Sequence, residues 1–292
     1  MKKILFATTA LVATASVAAA DVTFSGYGRF GVRYIDTAAG VSSTDVVSRL
    51  RLQLDVSAES DAGVKFGART RMQTNQNGAT AVTDNGFNAT RFYAKSGGLE
   101  VAVGNILGAL ESMPGTYPVQ IGFSDFGQNT AQGGRDGYSS DGVGAADANG
   151  VEVIYSMGDF KAHVSASDRN DRVAAYGAYT MSGWTLALGM QESDLATDNE
   201  YVATVGGTVG PATVSLAYAD NGTAGTRTVL AASFSAGAAT SIDAYYADDE
   251  LLDSSTGVGF HHSLGGGVTL RGGVSDNFAG DTTADFGVNF NF

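Results

Sequence analysis

Apolar and polar residues alternate along most of this chain with period two. In VTFSGYGRFGVRYI, Val22, Phe24, Phe30, Val32 and Tyr34 share one parity, and Thr23, Ser25, Arg29 and Arg33 take the other. SRLRLQLDVSAE sets Leu50, Leu52, Leu54 and Val56 against Arg49, Arg51, Gln53 and Asp55, and VKFGARTRMQ sets Val64, Phe66, Ala68 and Met72 against Lys65, Arg69, Arg71 and Gln73. Successive strand side chains point to opposite faces, so each segment predicts a strand with one greasy and one charged face. Segments of roughly ten residues match the length of a tilted strand that crosses a bilayer. The last strand, DFGVNFNF, places Phe286, Val288, Phe290 and Phe292 on the apolar parity.

Turn chemistry divides the connections into two alternating kinds. Short glycine-containing links fall at residues 60–63, 97–98, 158–159, 182–183, 210–211, 237–238 and 265–267, where hairpin turns need residues tolerant of positive φ. Longer polar links fall at 36–45, 75–86, 106–149, 168–171, 192–199, 220–225, 248–255 and 277–281. Seven short and eight long links predict an all-β, 16-stranded antiparallel transmembrane β-barrel, with short turns on one side and long loops on the other. A soluble sandwich would turn its apolar face inward. Tyr34, Phe160, Trp184, Tyr201, Tyr218, Phe234, Tyr246 and Phe292 instead sit on the apolar parity near strand ends, as interfacial girdles do.

The chain opens with a charged pair, Lys2 and Lys3, an apolar stretch from Ile4 to Val17, and small Ala18, Ala19 and Ala20. This pattern predicts a signal peptide over residues 1–20 with cleavage before Asp21, and a single barrel domain over 21–292. Its apolar stretch is shorter than the roughly 20 residues that a spanning helix needs.

Composition narrows the class. Glycine contributes 40 of 292 residues, proline 3 and cysteine none, while 27 tyrosines and phenylalanines and one tryptophan argue against disorder. The net charge of -13 becomes -15 without Lys2 and Lys3, which makes nucleic acid an improbable partner.

A barrel of sixteen strands is too wide for its own side chains to fill. The third long connection, Ile106 to Asn149, carries Ile106, Leu107, Leu110, Met113, Ile121 and Phe123 as well as Pro114 and Pro118. That apolar content predicts an external loop folded into the lumen.

Basic residues concentrate on one wall. Arg29, Arg33, Arg49, Arg51, Lys65, Arg69, Arg71, Arg91 and Lys95 all precede residue 96. At roughly 3.3 Å per residue, Arg29, Arg51, Arg69 and Arg91 fall near mid-height, with Arg33, Arg49 and Arg71 a step nearer the long loops. The lipid side excludes charge, which explains their parity but not their clustering. Glu111 and Asp125 on the loop offer the opposite sign, with Asp136, Asp141 and Asp147 further along. Together they predict a transverse field across a wet constriction, through which small hydrophilic solutes and ions diffuse passively.

The leader, the start DVTFSGYGRFGVRY, the strands RLRLQLD and FGARTRMQ, the long third loop and the terminal FGVNFNF together resemble the general diffusion porins of alphaproteobacteria, the Rhodobacter type. The resemblance covers nearly the whole chain. It implies a homotrimer in the outer membrane, among its lipids and lipopolysaccharide, with the third loop inside each pore and Phe292 recognised during assembly. It also implies a basic constriction cluster at Arg29, Arg51, Arg69 and Arg91, an acidic cluster at Glu111 and Asp125, and no required cofactor. Calcium at Asp248, Asp249, Glu250 and Asp253 is a further expectation, although a run of surface carboxylates is more often only solvated.

Three other readings remain open from sequence, one of them an adhesin or purely structural barrel, which would not need clustered arginines inside. A barrel enzyme would draw on His163, His261 or His262, but no G-x-S-x-G motif accompanies them. A sugar-specific channel would show an inner aromatic slide, whereas the clear aromatics mostly take the outer parity, with Tyr27, Tyr93 and Tyr245 as scattered exceptions.

Overall fold

A computed structural model describes residues 20–78, 80–126, 131, 138 and 149–292, with the side chains of 80–85 left aside. The strands are β1 (Asp21–Asp36), β2 (Ser42–Glu59), β3 (Lys65–Asn77), β4 (Thr80–Phe87), β5 (Arg91–Ser96), β6 (Leu99–Gly104), β7 (Gly150–Met157), β8 (Phe160–Ser167) and β9 (Arg172–Met181). They continue as β10 (Trp184–Glu192), β11 (Glu200–Val209), β12 (Ala212–Asp220), β13 (Thr226–Ser235), β14 (Thr240–Asp249), β15 (Ser255–Gly265), β16 (Val268–Asp276) and β17 (Thr282–Asn291). Each strand pairs antiparallel with its neighbours in sequence, except that β4 and β5 both pair with β3, and β17 pairs with β1 to close the sheet.

Seventeen segments occupy sixteen positions. Thr80 to Thr83 of β4 pair with the loop-side end of β3, while β5 pairs with its other end, from Lys65↔Lys95 to Arg69↔Arg91. Asn88 bridges the break, donating its amide to the Arg71 carbonyl and accepting the Arg71 amide on its side chain, each at 2.7 Å. The barrel is therefore sixteen-stranded, as the turn pattern predicts.

The first long links are shorter than the sequence suggests. β1 runs on to Asp36 and β2 begins at Ser42, while much of the expected 75–86 loop is strand. Polar composition misleads here because these strands overshoot the bilayer. β2 has 18 residues, whereas a tilted strand needs only about 9–11 to cross. Above the membrane both faces meet water, and the alternation fades.

The outward parity holds throughout. Phe24, Phe30, Val32, Leu50, Phe286 and the interfacial aromatics are all exposed on the outer face. At the seam, Gly26 and Phe292 exchange backbone hydrogen bonds at 2.9 and 3.1 Å. The ring of Phe292 covers Gly26 and that of Phe290 covers Gly28, each filling space that a Cβ would occupy. Glycine and aromatic thus pair across the closure, which helps fix register there.

Candidate functional site: the lumen wall and its loop

The inner wall has two chemical halves. From β9 to β14 it presents mainly small or apolar side chains, including Ala174, Ala178, Ala187, Val202, Ala217, Ala219, Val229, Ala231 and Ala247. From β1 to β5 it presents guanidiniums and carboxamides. An apolar wall in a water-filled tube would be costly unless something dry covered it.

The third loop provides that cover. Ile106 packs at Gly150 of β7, and Leu110 and Met113 pack at Gly189 of β10. Ile121 lies at Gly259 of β15 and Gly273 of β16, and Phe123 at Gly31 of β1 and Gly287 of β17. A Cβ at Gly189 or Gly273 would stand only 2.5 Å from the loop's Leu110 or Ile121. These strands carry glycine facing the lumen because the loop approaches closely there. Ala109, Leu110, Met113 and Tyr138 form one buried cluster with β9 to β12, and Val119, Ile121 and Ala131 another with β12 to β14. Each large apolar side chain removed from water contributes roughly 1.5–3 kcal/mol to holding the loop down.

Polar contacts fix its position. The Ala109 amide donates to Ser165 Oγ of β8 at 2.8 Å, and Thr204 Oγ1 of β11 donates to the Pro114 carbonyl at 2.6 Å. Asp285 of β17 accepts the Phe123 amide at 3.1 Å and the Ser124 amide at 2.8 Å. Tyr138, held in place by its hydroxyl donating to Asn221 at 2.7 Å, has its phenol pKa raised by burial and stays neutral.

Two of the expected site residues meet directly. Arg29 of β1 donates to the Phe123 carbonyl at 3.0 Å and forms an ion pair with Asp125. Asp125 also lies 3.2 Å from Arg271 of β16, so one carboxylate sits between two guanidiniums. Glu111 is elsewhere. It follows Leu110 at the β8 to β10 wall, across the barrel from β1, and is half-buried. Asp136, Asp141 and Asp147 lie outside the described residues.

The other arginines separate by partner. Arg91 bonds Glu100 and Glu152, each at 2.6 Å. Arg49 donates through Nε to Asn75 at 2.6 Å, Arg51 to Gln73 at 2.6 Å, and Arg33 to Asn77. Arg69 stands opposite Asp55 and Arg91, and Arg71 opposite Gln53. Tyr27 lies beneath Arg51, with 5.4 Å from guanidinium carbon to ring centre.

Arg271, Asp285, Glu100 and Glu152 escaped the sequence reading. Each is an isolated charge at an inward position of an adjacent strand, and the inward glycines Gly259, Gly273 and Gly287 were the available sign that backbone would pass nearby.

The 248–255 link does not converge on a cation. Asp249 accepts from Arg227 and from the amides of Leu251 and Leu252, both at 2.9 Å, while Glu250 accepts the Thr226 amide at 3.0 Å. Asp248 faces the Tyr246 hydroxyl and Asp253 the Ser254 amide. Among the described residues no group of three or more ligating side chains could hold a metal. As folded, this link does not fit a calcium site.

The histidines hold structure. His163 Nε2 lies 2.9 Å from Glu152, fully buried, and His261 meets the Gln120 carbonyl at 3.1 Å and Arg271 at 2.8 Å. His262 Nδ1 lies 2.8 Å from Thr240 Oγ1.

A family model described as Gram-negative porin matches residues 7–282. A porin of Fuscovulum blasticum is 33% identical over 301 residues, spanning 93% of this chain and all of that protein. One of Rhodobacter capsulatus is 28% identical over 316 residues with the same shares covered. The solved structure of a triple mutant of the Rhodopseudomonas blastica porin superposes with a TM-score of 0.82 at 29% identity, covering 93% of this chain and all of that one. With its closed barrel, inward charges and matching length, the chain belongs to the Gram-negative porin family.

Proposed function

We propose that this barrel is a water-filled outer-membrane channel for passive diffusion of small hydrophilic solutes and ions. The observation that carries this reading is the division of the inner wall. The loop dries the apolar half, so the water path runs along the half bearing Arg33, Arg49, Arg51, Arg69 and Arg71. Guanidiniums there and the carboxylate of Glu111 across the barrel set a transverse field. Asp125 belongs to the anchor that holds the loop, because Arg29 and Arg271 together outweigh it. Apolar solutes would have to strip ordered water in such a field and pass slowly.

The working unit is a homotrimer, released from its leader at Asp21 and embedded among outer-membrane lipids and lipopolysaccharide. The continuous apolar outer face and the family resemblance support it.

Insertion into a planar bilayer tests the channel. Stepwise, ohmic conductance in KCl is expected. A verified folded barrel that gives no steps would sink the reading, and saturation of the current by one sugar at low concentration would replace it with a specific channel.

A further inference from the structure

The loop fills the space before several of the inward glycines, but one hollow stays empty. Leu110 and Met113 occupy the place of a side chain at Gly189, and Ile121 does so at Gly273. At Gly206 of β11 nothing does. A Cβ there would come no closer than 3.3 Å to a neighbour, the Val214 carbonyl oxygen. No close approach requires glycine at this position, and its small size leaves room on the wall. A cavity of about 390 Å³ opens there, between the loop segment from Pro114 to Val119 and the short-turn ends of β10 to β13. Small-molecule pockets span roughly 300–1,000 Å³, so this one has room for a single small solute.

Its lining has a chemistry of its own. Among the described residues, none that borders the cavity is charged. Thr208 stands directly opposite Thr213, Thr213 opposite Ser233, and Ser215 opposite Gly206. Neighbouring strands lie about 4.8 Å apart, so Thr208, Thr213 and Ser233 form a row of hydroxyls across three strands. The hydroxyls of these three and of Ser215 have no hydrogen-bond partner among the described residues. Thr204, by contrast, is committed to the Pro114 carbonyl at 2.6 Å and ties the loop to the wall at the edge of the cavity. The loop contributes Tyr117 and Pro118 to the lining.

Such a lining selects by elimination. An ion entering it would shed water and meet no counter-charge. An apolar solute would bury free hydroxyls without giving them partners. A polyhydroxylated ring avoids both costs, because each Ser or Thr hydroxyl donates one hydrogen bond and accepts others. The C–H face of that ring can rest on an aromatic or proline surface.

We propose that this hollow is a weak binding station for small neutral polyols of the size and chemistry of a monosaccharide. The proposal deepens the channel reading and rests on it, since the solute reaches the hollow through the lumen. The station lies across the barrel from β2 and β3, away from their arginines. Affinity must stay low, because a solute that binds tightly cannot leave.

NMR of the barrel labelled at its threonine methyls in detergent micelles, titrated with glucose, glucuronate and cyclohexanol, tests the station. Glucose should shift the Thr208 and Thr213 methyl signals saturably, with a midpoint above about 1 mM, and leave Thr23 of β1 unmoved. Glucuronate carries the same ring with a carboxylate, and cyclohexanol the ring without its further hydroxyls. Each should bind at least about fivefold more weakly. S215A/S233A, which removes two hydroxyls, should weaken glucose binding about fivefold to tenfold. G206V, which fills the hollow, should abolish the saturable shift. Single-channel steps in KCl show that each barrel is folded and open. In an open wild-type barrel, glucose shifts that stay linear, or an equal response to glucuronate or cyclohexanol, overturn the station and leave the channel standing. So does undiminished glucose binding in an open G206V barrel, whereas silence of the wild type in KCl overturns the channel itself.

Discussion

Asp285, in the last strand of the barrel, accepts the backbone amide of Phe123 at 3.1 Å across 162 residues of sequence. The same carboxylate takes the Ser124 amide at 2.8 Å. Two loop amides thus depend on one inward acid. D285A would leave them unsatisfied in a dry site, at a cost of roughly 3 kcal/mol. The expected outcome is faster hydrogen exchange at Phe123 and Ser124, with larger and noisier conductance steps. Unchanged protection of both amides would show that apolar packing alone holds this segment.

Asp125 is shared between Arg29 and Arg271, so its loss should exceed the loss of either arginine. D125N leaves two buried guanidiniums facing each other, and about 3 kcal/mol of stability should go with it. Asp125 adopts φ of 61°, a conformation that asparagine also tolerates, so backbone strain is not added. Denaturant unfolding in detergent reads the effect. Adding R271M should recover part of it, and strict additivity in that double-mutant cycle would argue against coupling.

A third expectation concerns the close approach at Gly273. In G273V the new Cβ would stand 2.5 Å from Ile121 Cγ2 and 3.0 Å from the Gly122 amide nitrogen, so the loop must move. Conductance should rise as the loop lifts. Gly177 has nothing within 4 Å of its would-be Cβ, and G177A serves as the comparison that leaves conductance as it was.

At the outer rim, Asp281 accepts the Ala38 amide at 3.0 Å and the Asn277 side chain at 3.1 Å, tying the first and last loops together. These hydrogen bonds lower its pKa, the Ala38 amide foremost. A depressed carboxylate contributes stability that is present above the ordinary aspartate value, about 3.9, and is lost as pH falls through the lowered one. The NMR shift of the Ala38 amide should therefore titrate with a midpoint below about 3.9. A midpoint at or above about 3.9 would remove the tether.

Strand number, closure and lipid-facing parity were legible in the sequence because each rests on a local rule. Phe24, Leu50 and Phe286 alternate with polar neighbours, and glycine marks the tight turns. An even strand count leads the last strand back to the first, but the register that sets Phe292 beside Gly26 is visible only in the folded barrel. The loop's route was less legible, because it depends on partners far away in sequence. Apolar Ile121 and Phe123 signalled packing, but only the inward Gly259, Gly273 and Gly287 showed where. Glu111 and Asp125 looked alike as loop acids, yet folding places them on different walls. The polar 75–86 stretch read as loop because strands above the bilayer lose their alternation.

The reversal potential across a KCl gradient tests the placement of the water path most directly. In R33Q/R49Q/R51Q/R71Q it should shift toward potassium relative to the wild type, because four positive charges leave the wall that ions pass. At low salt the shift should be larger, since screening weakens with a longer Debye length. An identical reversal potential in wild type and variant would contradict a pore lined by these arginines.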